Sequence, residues 1–195
     1  MSDEESPTLW QRARRRAHEE IAAVAMTLFL ENGFAETTVD QIAAAAGIGR
    51  RSFFRYFGSK EDVVIGVLVA DAALLRTELE RQPEDRDAWA ALTGAVLALD
   101  DGAAERERAL EVARMVYDTP SLRARSIEKH LRWYDELAPE VERRLGGRTD
   151  ATLRARAIVA TFATCLDIAG EAWVRDGGTG TLRTYLDAAL SAVRT

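Results

Sequence analysis

The chain has 195 residues, of which 47% are hydrophobic and 30% charged, and it contains four prolines, the composition of a globular protein with ample core. The net charge of −6 argues against indiscriminate nucleic-acid binding, and the single Cys165 excludes an intrachain disulfide framework. The acidic start MSDEESPTLW is unlike a signal peptide and charges interrupt the long apolar runs, so we expect a cytoplasmic protein without a membrane span.

Four helices are predicted in the N-terminal part of the chain. The first begins after Ser6-Pro7 or within the arginines of residues 12–16, and it ends near Glu31, before a glycine. Thr38 and Gln41 have the spacing of a capping box, which predicts a second helix over about residues 39–46. Gly47-Ile48-Gly49 breaks that helix, a third runs over about residues 50–56, and Ser59 caps a fourth that ends near residue 80.

The remaining two thirds of the chain also show helical periodicity. A linker at residues 82–85 is followed by predicted helices at about 86–99, 103–118, 120–144, 150–175 and 179–194, and Pro139 should end or kink the third of these. No stretch alternates with the period of a strand, so the sequence predicts an all-α fold. We place a three-helix domain at residues 1–58, with residues 1–9 disordered, and a second helical domain at residues 59–195.

A helix, a glycine turn and a second helix make a helix-turn-helix, whose second helix enters the major groove of DNA. Here that helix begins with Arg50, Arg51 and Ser52, in a stretch from residue 47 to residue 60 that contains no acid. Arginine can donate two hydrogen bonds to a guanine, and Phe54 offers an apolar surface to a thymine methyl. Lys60 and the backbone N–H groups near Thr38 suit phosphates, which position the protein without specifying a sequence. Arg55 stands just behind the base-reading residues.

The same segment resembles the tetracycline-repressor (TetR) family of bacterial transcriptional regulators. The resemblance runs through GF, TTVDQIA, AGIG and FFRYFGSKEDV, and it covers about residues 12–68. The segments LEVARMVYDTPSLRAR and RRSFFRYF are similar to the branch that contains mycofactocin-associated regulators. The resemblance implies a ligand-binding and dimerisation domain after the DNA-binding domain, joined to it by a long helix.

Individual DNA contacts also follow from this resemblance. It implies phosphate contacts from Thr38, Tyr56 and Lys60, and base or groove contacts from five residues of the third helix: Arg50, Arg51, Ser52, Phe54 and Arg55. Two positions depart from the family pattern, because serine is common where this chain has Gly49 and tyrosine is usual where it has Phe54. The Gly49 backbone N–H remains available, and we expect Arg50 and Arg51 to carry more of the recognition. The residue 12–16 cluster is either an arm that touches DNA or a solvated helix start.

A site for an effector is predicted where large side chains gather in the second domain, although an ordinary core would show the same pattern. The candidate ligand-binding residues are Arg114, Met115, Tyr117, His130, Trp133, Tyr134, Phe162 and Leu166. The branch resemblance and the apolar lining together suggest the hypothesis of an acyl-chain or acyl-CoA-like effector.

The last two helices are expected to form a homodimer, as the family pattern pairs them with their symmetry mates. Their apolar stripes give the predicted interface: Ile158, Phe162, Cys165, Ala169, Trp173, Leu182, Leu186 and Leu190. Small side chains, among them Ala157 and Thr164, permit close packing of these helices. A two-fold dimer requires a roughly palindromic double-stranded operator.

The sequence therefore predicts a dimeric, ligand-responsive repressor without metal or catalytic cofactor. An activator of the same fold is an alternative, and a helical lipid carrier is a further one that would not need the basic turn. An enzyme is disfavoured, because Cys165 lies on an apolar stripe and the two histidines are scattered.

Overall fold

The computed structural model describes residues 8–99 and 103–194, without the side chains of residues 69–71, 103–105 and 127–129. Within these ranges the chain is built of α-helices and contains no strand, which confirms the predicted all-α fold. The helices are α1 Leu9–Asn32, α2 Val39–Ala45, α3 Arg50–Tyr56, α4 Lys60–Glu80, α5 Ala88–Leu99, α6 Ala103–Asp118, α7 Pro120–Arg144, α8 Ala151–Arg175 and α9 Leu182–Val193.

Side-chain caps determine where α1 and α2 begin. Thr8 and Gln11 form a capping box at the start of α1, and Thr38 and Gln41 form the predicted one at the start of α2. The expected disorder of residues 1–9 falls largely on residues 1–7, outside the described part of the chain. The expectation was wrong for Thr8 and Leu9, because Thr8 caps α1 and Leu9 is its first residue.

The chain divides into two compact units between Val64 and Ile65. The division falls inside α4, whereas the predicted boundary lay just before this helix. Val63 and Val64 are fully buried, and the division leaves both in the first unit, so that unit includes the start of α4. The core of the first unit is formed by Ile21, Ala25, Met26, Phe29, Phe34, Ile42, Ala43, Phe53, Phe57, Val63 and Val64.

In the second unit α8 is the central helix, and it contacts α5, α6, α7 and α9. Arg144 at the end of α7 binds the end of α4 and the segment after it. Its guanidinium is 2% exposed and donates hydrogen bonds to the carbonyls of Leu79 (2.9 Å), Gln82 (2.9 Å) and Pro83 (2.8 Å). Glu140 accepts a further bond from Arg144 Nε at 2.8 Å, so this buried cation is both paired and hydrogen-bonded.

Pro139 does not end a helix, contrary to that part of the prediction. α7 continues through it to Arg144. The proline removes one backbone donor, which leaves the Asp135 carbonyl without its helical partner. Asp135 and Pro139 are both exposed, so water can reach this carbonyl, while buried Leu137, Ala138 and Val141 hold the helix in the core.

One described helix, α8, is long and apolar enough to cross a membrane by length and composition alone. Asp167 and Glu171 nevertheless interrupt the apolar part of this helix, as expected from the sequence. The core of the second unit accounts for its apolar character, because Ala155, Val159, Phe162, Ala163 and Ala169 are all buried inside the chain.

Candidate functional site

The turn between α2 and α3 is held by a Schellman motif. Ile48 N–H donates to the Ala43 carbonyl (2.9 Å) and Gly47 N–H donates to the Ala44 carbonyl (3.1 Å). Gly47 has a φ of +66°, a conformation that glycine adopts at little cost. Gly49 then caps α3 without a side-chain hydrogen bond, so the backbone alone sets the start of this helix.

Arg50, the first residue of α3, is exposed but held on two sides. Its Nη1 lies 2.6 Å from Asp40 Oδ2 on α2, and its guanidinium carbon lies 5.7 Å from the centre of the Phe54 ring. The stretch around α3 contains no acid in sequence, yet the fold brings the carboxylate of Asp40 into it. Nothing in the spacing of these two residues, ten apart, predicts this contact.

Other candidate base-reading side chains share the exposed side of α3. Arg51 is exposed and has no ion-pair or hydrogen-bond partner among the described residues. Phe54 is 46% exposed and its inner edge packs on buried Phe53, with ring centroids 5.5 Å apart. Ser52 is half-buried. The structure therefore presents two guanidinium groups and an apolar ring next to each other, which is the chemistry of base readout.

A cavity of about 460 Å³ in the first unit lies between the start of α1 and the end of α3. The guanidinium carbon of Arg55 lies 5.7 Å from the centre of the Tyr56 ring, and that of Arg14 lies 5.5 Å from the centre of the Trp10 ring. Trp10 is 68% exposed. The sequence analysis missed Trp10, although an exposed tryptophan beside arginines is an unusual surface. Residues 12–16 belong to α1 here, so these arginines are carried by a helix and not by a flexible arm.

The ammonium of Lys60 has partners inside the first unit. Its Nζ donates to the carbonyls of Phe34 (2.6 Å), Ala35 (3.2 Å) and Thr37 (3.2 Å), and it lies 4.4 Å from the centre of the Phe34 ring. An ammonium has three donors, and all three are used. In the structure this side chain anchors the connection between α1 and α2, while the phosphate contact of Lys60 stays a prediction.

The Thr38 hydroxyl also has a local partner. It accepts a hydrogen bond from Gln41 N–H at 3.2 Å, and Gln41 Oε1 accepts one from Thr38 N–H at 2.7 Å. Thr38 remains exposed, but the capping box already engages both its hydroxyl and its backbone N–H.

The candidate effector residues have different surroundings in the described part of the second unit. Arg114 points to the chain after α8, where its Nη2 donates to the Gly177 carbonyl at 3.1 Å, and Met115 is half-buried. Tyr117 and His130 line a shared cavity. Four others belong to the core of the second unit or pack against it: Trp133, Tyr134, Phe162 and Leu166.

The cavity that Tyr117 and His130 share has a volume of about 470 Å³ and lies between α6, α7 and α8. His130 Nε2 lies 2.6 Å from Asp167 Oδ2, and the Tyr117 hydroxyl donates to the Asp167 carbonyl at 2.9 Å. Burial, together with the nearby charges of Asp167 and Glu171, raises the pKa of Tyr117 well above its ordinary value. Tyr117 is therefore a neutral hydrogen-bonding group at physiological pH.

Sequence reasoning missed a larger groove of about 710 Å³ between α5 and α9. Arg86, Arg183 and Arg194 line it together with apolar and small residues. Each arginine already has a partner: Gln82 Oε1 accepts from Arg86, while Arg183 pairs with Asp187 and Arg194 with Asp87. The groove is formed by residues far apart in sequence, so no local pattern marks it.

The predicted dimer interface lies inside the single chain. Six of its residues are at most 4% exposed: Phe162, Cys165, Ala169, Trp173, Leu186 and Leu190. Ile158 and Leu182 are half-buried and pack against the same core. The assignment was wrong for the six buried residues, because periodicity identifies an apolar stripe without telling an internal core from a subunit contact. For Ile158 and Leu182 it stays a prediction. The exposed side of α8 instead carries Leu153, Ala157, Thr164 and Ile168.

Comparisons with known proteins cover both units. Residues 21–67 match the family described as bacterial regulatory proteins, tetR family, and residues 86–195 match the MftR C-terminal domain. The HTH-type transcriptional regulator TcmR of Streptomyces glaucescens is 32% identical over 96% of this chain and 87% of its own length. This chain belongs to the TetR family. The mycofactocin-associated regulator MftR of Mycobacterium tuberculosis is 33% identical over 85% of this chain and 83% of its own length.

These matches confirm the predicted TetR family, its mycofactocin-associated branch and the function of a transcriptional regulator. Both relatives are named as regulators rather than as enzymes. Solved structures agree on the fold of a TetR protein. Thermus thermophilus FadR, in complex with lauroyl-CoA, has a TM-score of 0.63 at 24% identity over 89% of this chain and 91% of its own. Bacillus subtilis FadR, in complex with stearoyl-CoA, has a TM-score of 0.56 at 18% identity over 89% of this chain and 96% of its own.

Proposed function

We propose that this TetR protein is a dimeric, cytoplasmic repressor that reads a palindromic operator through α3 and leaves it when a largely apolar effector binds the second unit. The exposed set of Arg50, Arg51 and Phe54 on a helix that follows a glycine turn is the observation that carries this proposal. A lipid carrier has no use for such a surface, which disfavours that alternative.

In this proposal the DNA contacts divide into base readers and backbone contacts. Arg50 and Arg51 each donate two hydrogen bonds to a guanine, while Ser52 and Phe54 contact the adjacent base edges. The backbone contacts come from the Gly49 N–H, from Thr38, and from the cavity lined by Trp10, Arg14, Arg55 and Tyr56. Two guanidinium groups with aromatic partners in that cavity suit a phosphate and its sugar.

The proposed homodimer uses the exposed sides of α8 and α9. Ala157 and Thr164 on α8 are small and exposed, and Leu153 and Ile168 flank them with apolar surface. Small side chains let two helices approach closely, and a two-fold axis makes the operator palindromic. Replacing Ala157 by arginine should give a monomer in light scattering at micromolar concentration. A dimer that persisted in this variant and in Leu153→Asp would remove this surface from the proposal.

The effector is proposed to be acyl-CoA-like. The solved complexes of the two FadR proteins with lauroyl-CoA and stearoyl-CoA support this class, as do the apolar Pro120 and Ala124 in the cavity between α6, α7 and α8. A bound effector stabilises the protein by about 2.7 kcal/mol at a hundredfold excess over Kd. We expect a rise in the unfolding temperature with at least one member of an acyl-CoA panel; no shift with any chain length would contradict this effector class.

Release from DNA requires that the effector bind better to the arrangement that cannot hold the operator. The test combines selection of duplexes from a random library with footprinting on the promoter beside the gene, with and without the effector. Transcription from that promoter in vitro then separates repression from activation. Failure to enrich any sequence would contradict the DNA-reading function, whatever the effector.

A further inference from the structure

The acidic side chain of Asp40 stands beside the proposed DNA-reading helix. Its Oδ2 lies 2.6 Å from Arg50 Nη1, although the two residues belong to different helices. Both side chains are exposed, at 63% and 61%, so the pair lies on the surface and not in the core. The Arg50 guanidinium carbon also lies 5.7 Å from the centre of the Phe54 ring.

Neither fold stability nor DNA affinity explains this carboxylate well. Exposed ion pairs contribute little to folding, because water and salt screen them and two long side chains lose freedom. A negative charge near a DNA-binding surface weakens attraction to phosphates. As an acid in the first turn of α2, Asp40 also interacts favourably with the helix dipole. That interaction, however, does not depend on a partner at Arg50.

We propose that Asp40 is a positioning residue that fixes the guanidinium of Arg50 and thereby sets the base that Arg50 reads. This inference rests on the proposed function of α3 as the DNA reader. A guanidinium has five N–H donors, and the contact with Asp40 engages Nη1, which leaves donors on Nη2 and Nε for the O6 and N7 of a guanine. The carboxylate fixes the rotation of the fork, while the Phe54 ring supports its flat face.

An arginine held in this way discriminates more sharply than a mobile one. A free arginine reaches alternative bases and phosphates by changing its side-chain rotamer, so a wrong base costs it little. An arginine held by two neighbours resists a changed base, because any second arrangement also costs it the contacts with those neighbours. Asp40 therefore lowers general attraction to DNA and raises specificity.

The first test uses a random-sequence duplex library with the full-length protein, Asp40→Asn and the control Glu36→Gln. Glu36 is an exposed acid of the same unit, so its variant removes one charge without touching Arg50. We expect Asp40→Asn to lose on the order of tenfold discrimination at one base position of each half-site. Its affinity for random DNA should stay equal or rise, and Glu36→Gln should keep the wild-type base preferences.

A double-mutant cycle then separates positioning from a structural role. If Asp40 acts through Arg50, the Asp40→Asn change has no effect on base discrimination in the Arg50→Ala background. An equal loss in both backgrounds, or wild-type preferences in Asp40→Asn, would overturn the inference. If Asp40→Asn does not fold, Asp40→Glu keeps the charge but moves the carboxylate, and it should alter the same base position. A wild-type protein that enriches no sequence refutes the DNA-reading function itself and removes the role of Asp40 with it.

Discussion

Replacing Lys60 by methionine separates two roles that the sequence assigns to this lysine. The structure uses its ammonium inside the first unit, where it donates to the carbonyls of Phe34, Ala35 and Thr37. A phosphate contact would instead leave the ammonium free. Methionine keeps much of the apolar stem and removes only the charged donor, so the change tests which role is correct.

The magnitude follows from the contacts. The short bond to Phe34 contributes about 1.5–3 kcal/mol because its donor is charged, and each of the two 3.2 Å bonds contributes about 0.5 kcal/mol. The contact with the Phe34 ring adds about 0.5–1 kcal/mol. Exposed Ala35 can bind water in place of Lys60, so we expect a net loss of about 2.5–4.5 kcal/mol.

Urea denaturation monitored by circular dichroism measures this loss, and hydrogen exchange locates it. The amide of Thr37, which donates to the Gly33 carbonyl, should exchange faster in Lys60→Met. In Lys60→Met the slope of log affinity for DNA against log salt concentration should stay at its wild-type value. Arg51→Met should show a DNA-binding defect instead: the slope falls by about 0.9 if Arg51 contacts a phosphate, and base discrimination is lost if it contacts a base. Unchanged stability of Lys60→Met together with a reduced slope would refute the structural role.

Three further predictions concern stability. Arg144→Met should lower the free energy of unfolding in urea by about 3 kcal/mol, because it leaves three carbonyls without their buried donor. A loss below about 1 kcal/mol would show that Arg144 does not hold the end of α4. Gly47→Ala should lower the free energy of unfolding by about 1–2 kcal/mol, because Gly47 has a positive φ. Gly49→Ala should be nearly neutral, because Gly49 has a φ of −80° and open space around it. Equal losses in the two variants would contradict this reasoning. Burial against Phe57 lowers the pKa of His18 in the folded protein. The stability that neutral His18 contributes is therefore present above pH 6.5 and is lost as the pH falls through the lower folded pKa. In denaturation between about pH 7.5 and pH 5, His18→Phe should show less of this acid sensitivity.

Much of the fold follows from local signals in the sequence. Thr38 and Gln41 predict the start of α2 because a capping box needs only residues three apart. Gly47 predicts its end for a similar reason, since the left-handed turn is a property of one residue. The helices after the linker also begin and end near their predicted residues, because glycines and a proline separate them.

The sequence was insufficient wherever a side chain meets a distant partner. Lys60 looked free because its acceptors are backbone carbonyls more than twenty residues away. Arg50 looked unpaired because Asp40 lies on another helix. The stripe of Phe162 on α8 looked like a subunit contact, because an apolar face is the same in a core and in an interface. Pro139 was expected to end or kink α7, yet the helix continues through it, and tertiary packing of its neighbours keeps it in the core.

The ratio of operator to random-DNA affinity tests the central claim most directly. Fluorescence anisotropy at physiological salt measures it for the wild-type protein and for Arg50→Ala combined with Arg51→Ala, using the duplex that the wild type selects. We expect a wild-type ratio of about 10³ or more. In the double variant the ratio should fall towards one while the unfolding temperature is unchanged. A double variant that kept the wild-type ratio would contradict the assignment of α3 as the DNA-reading helix.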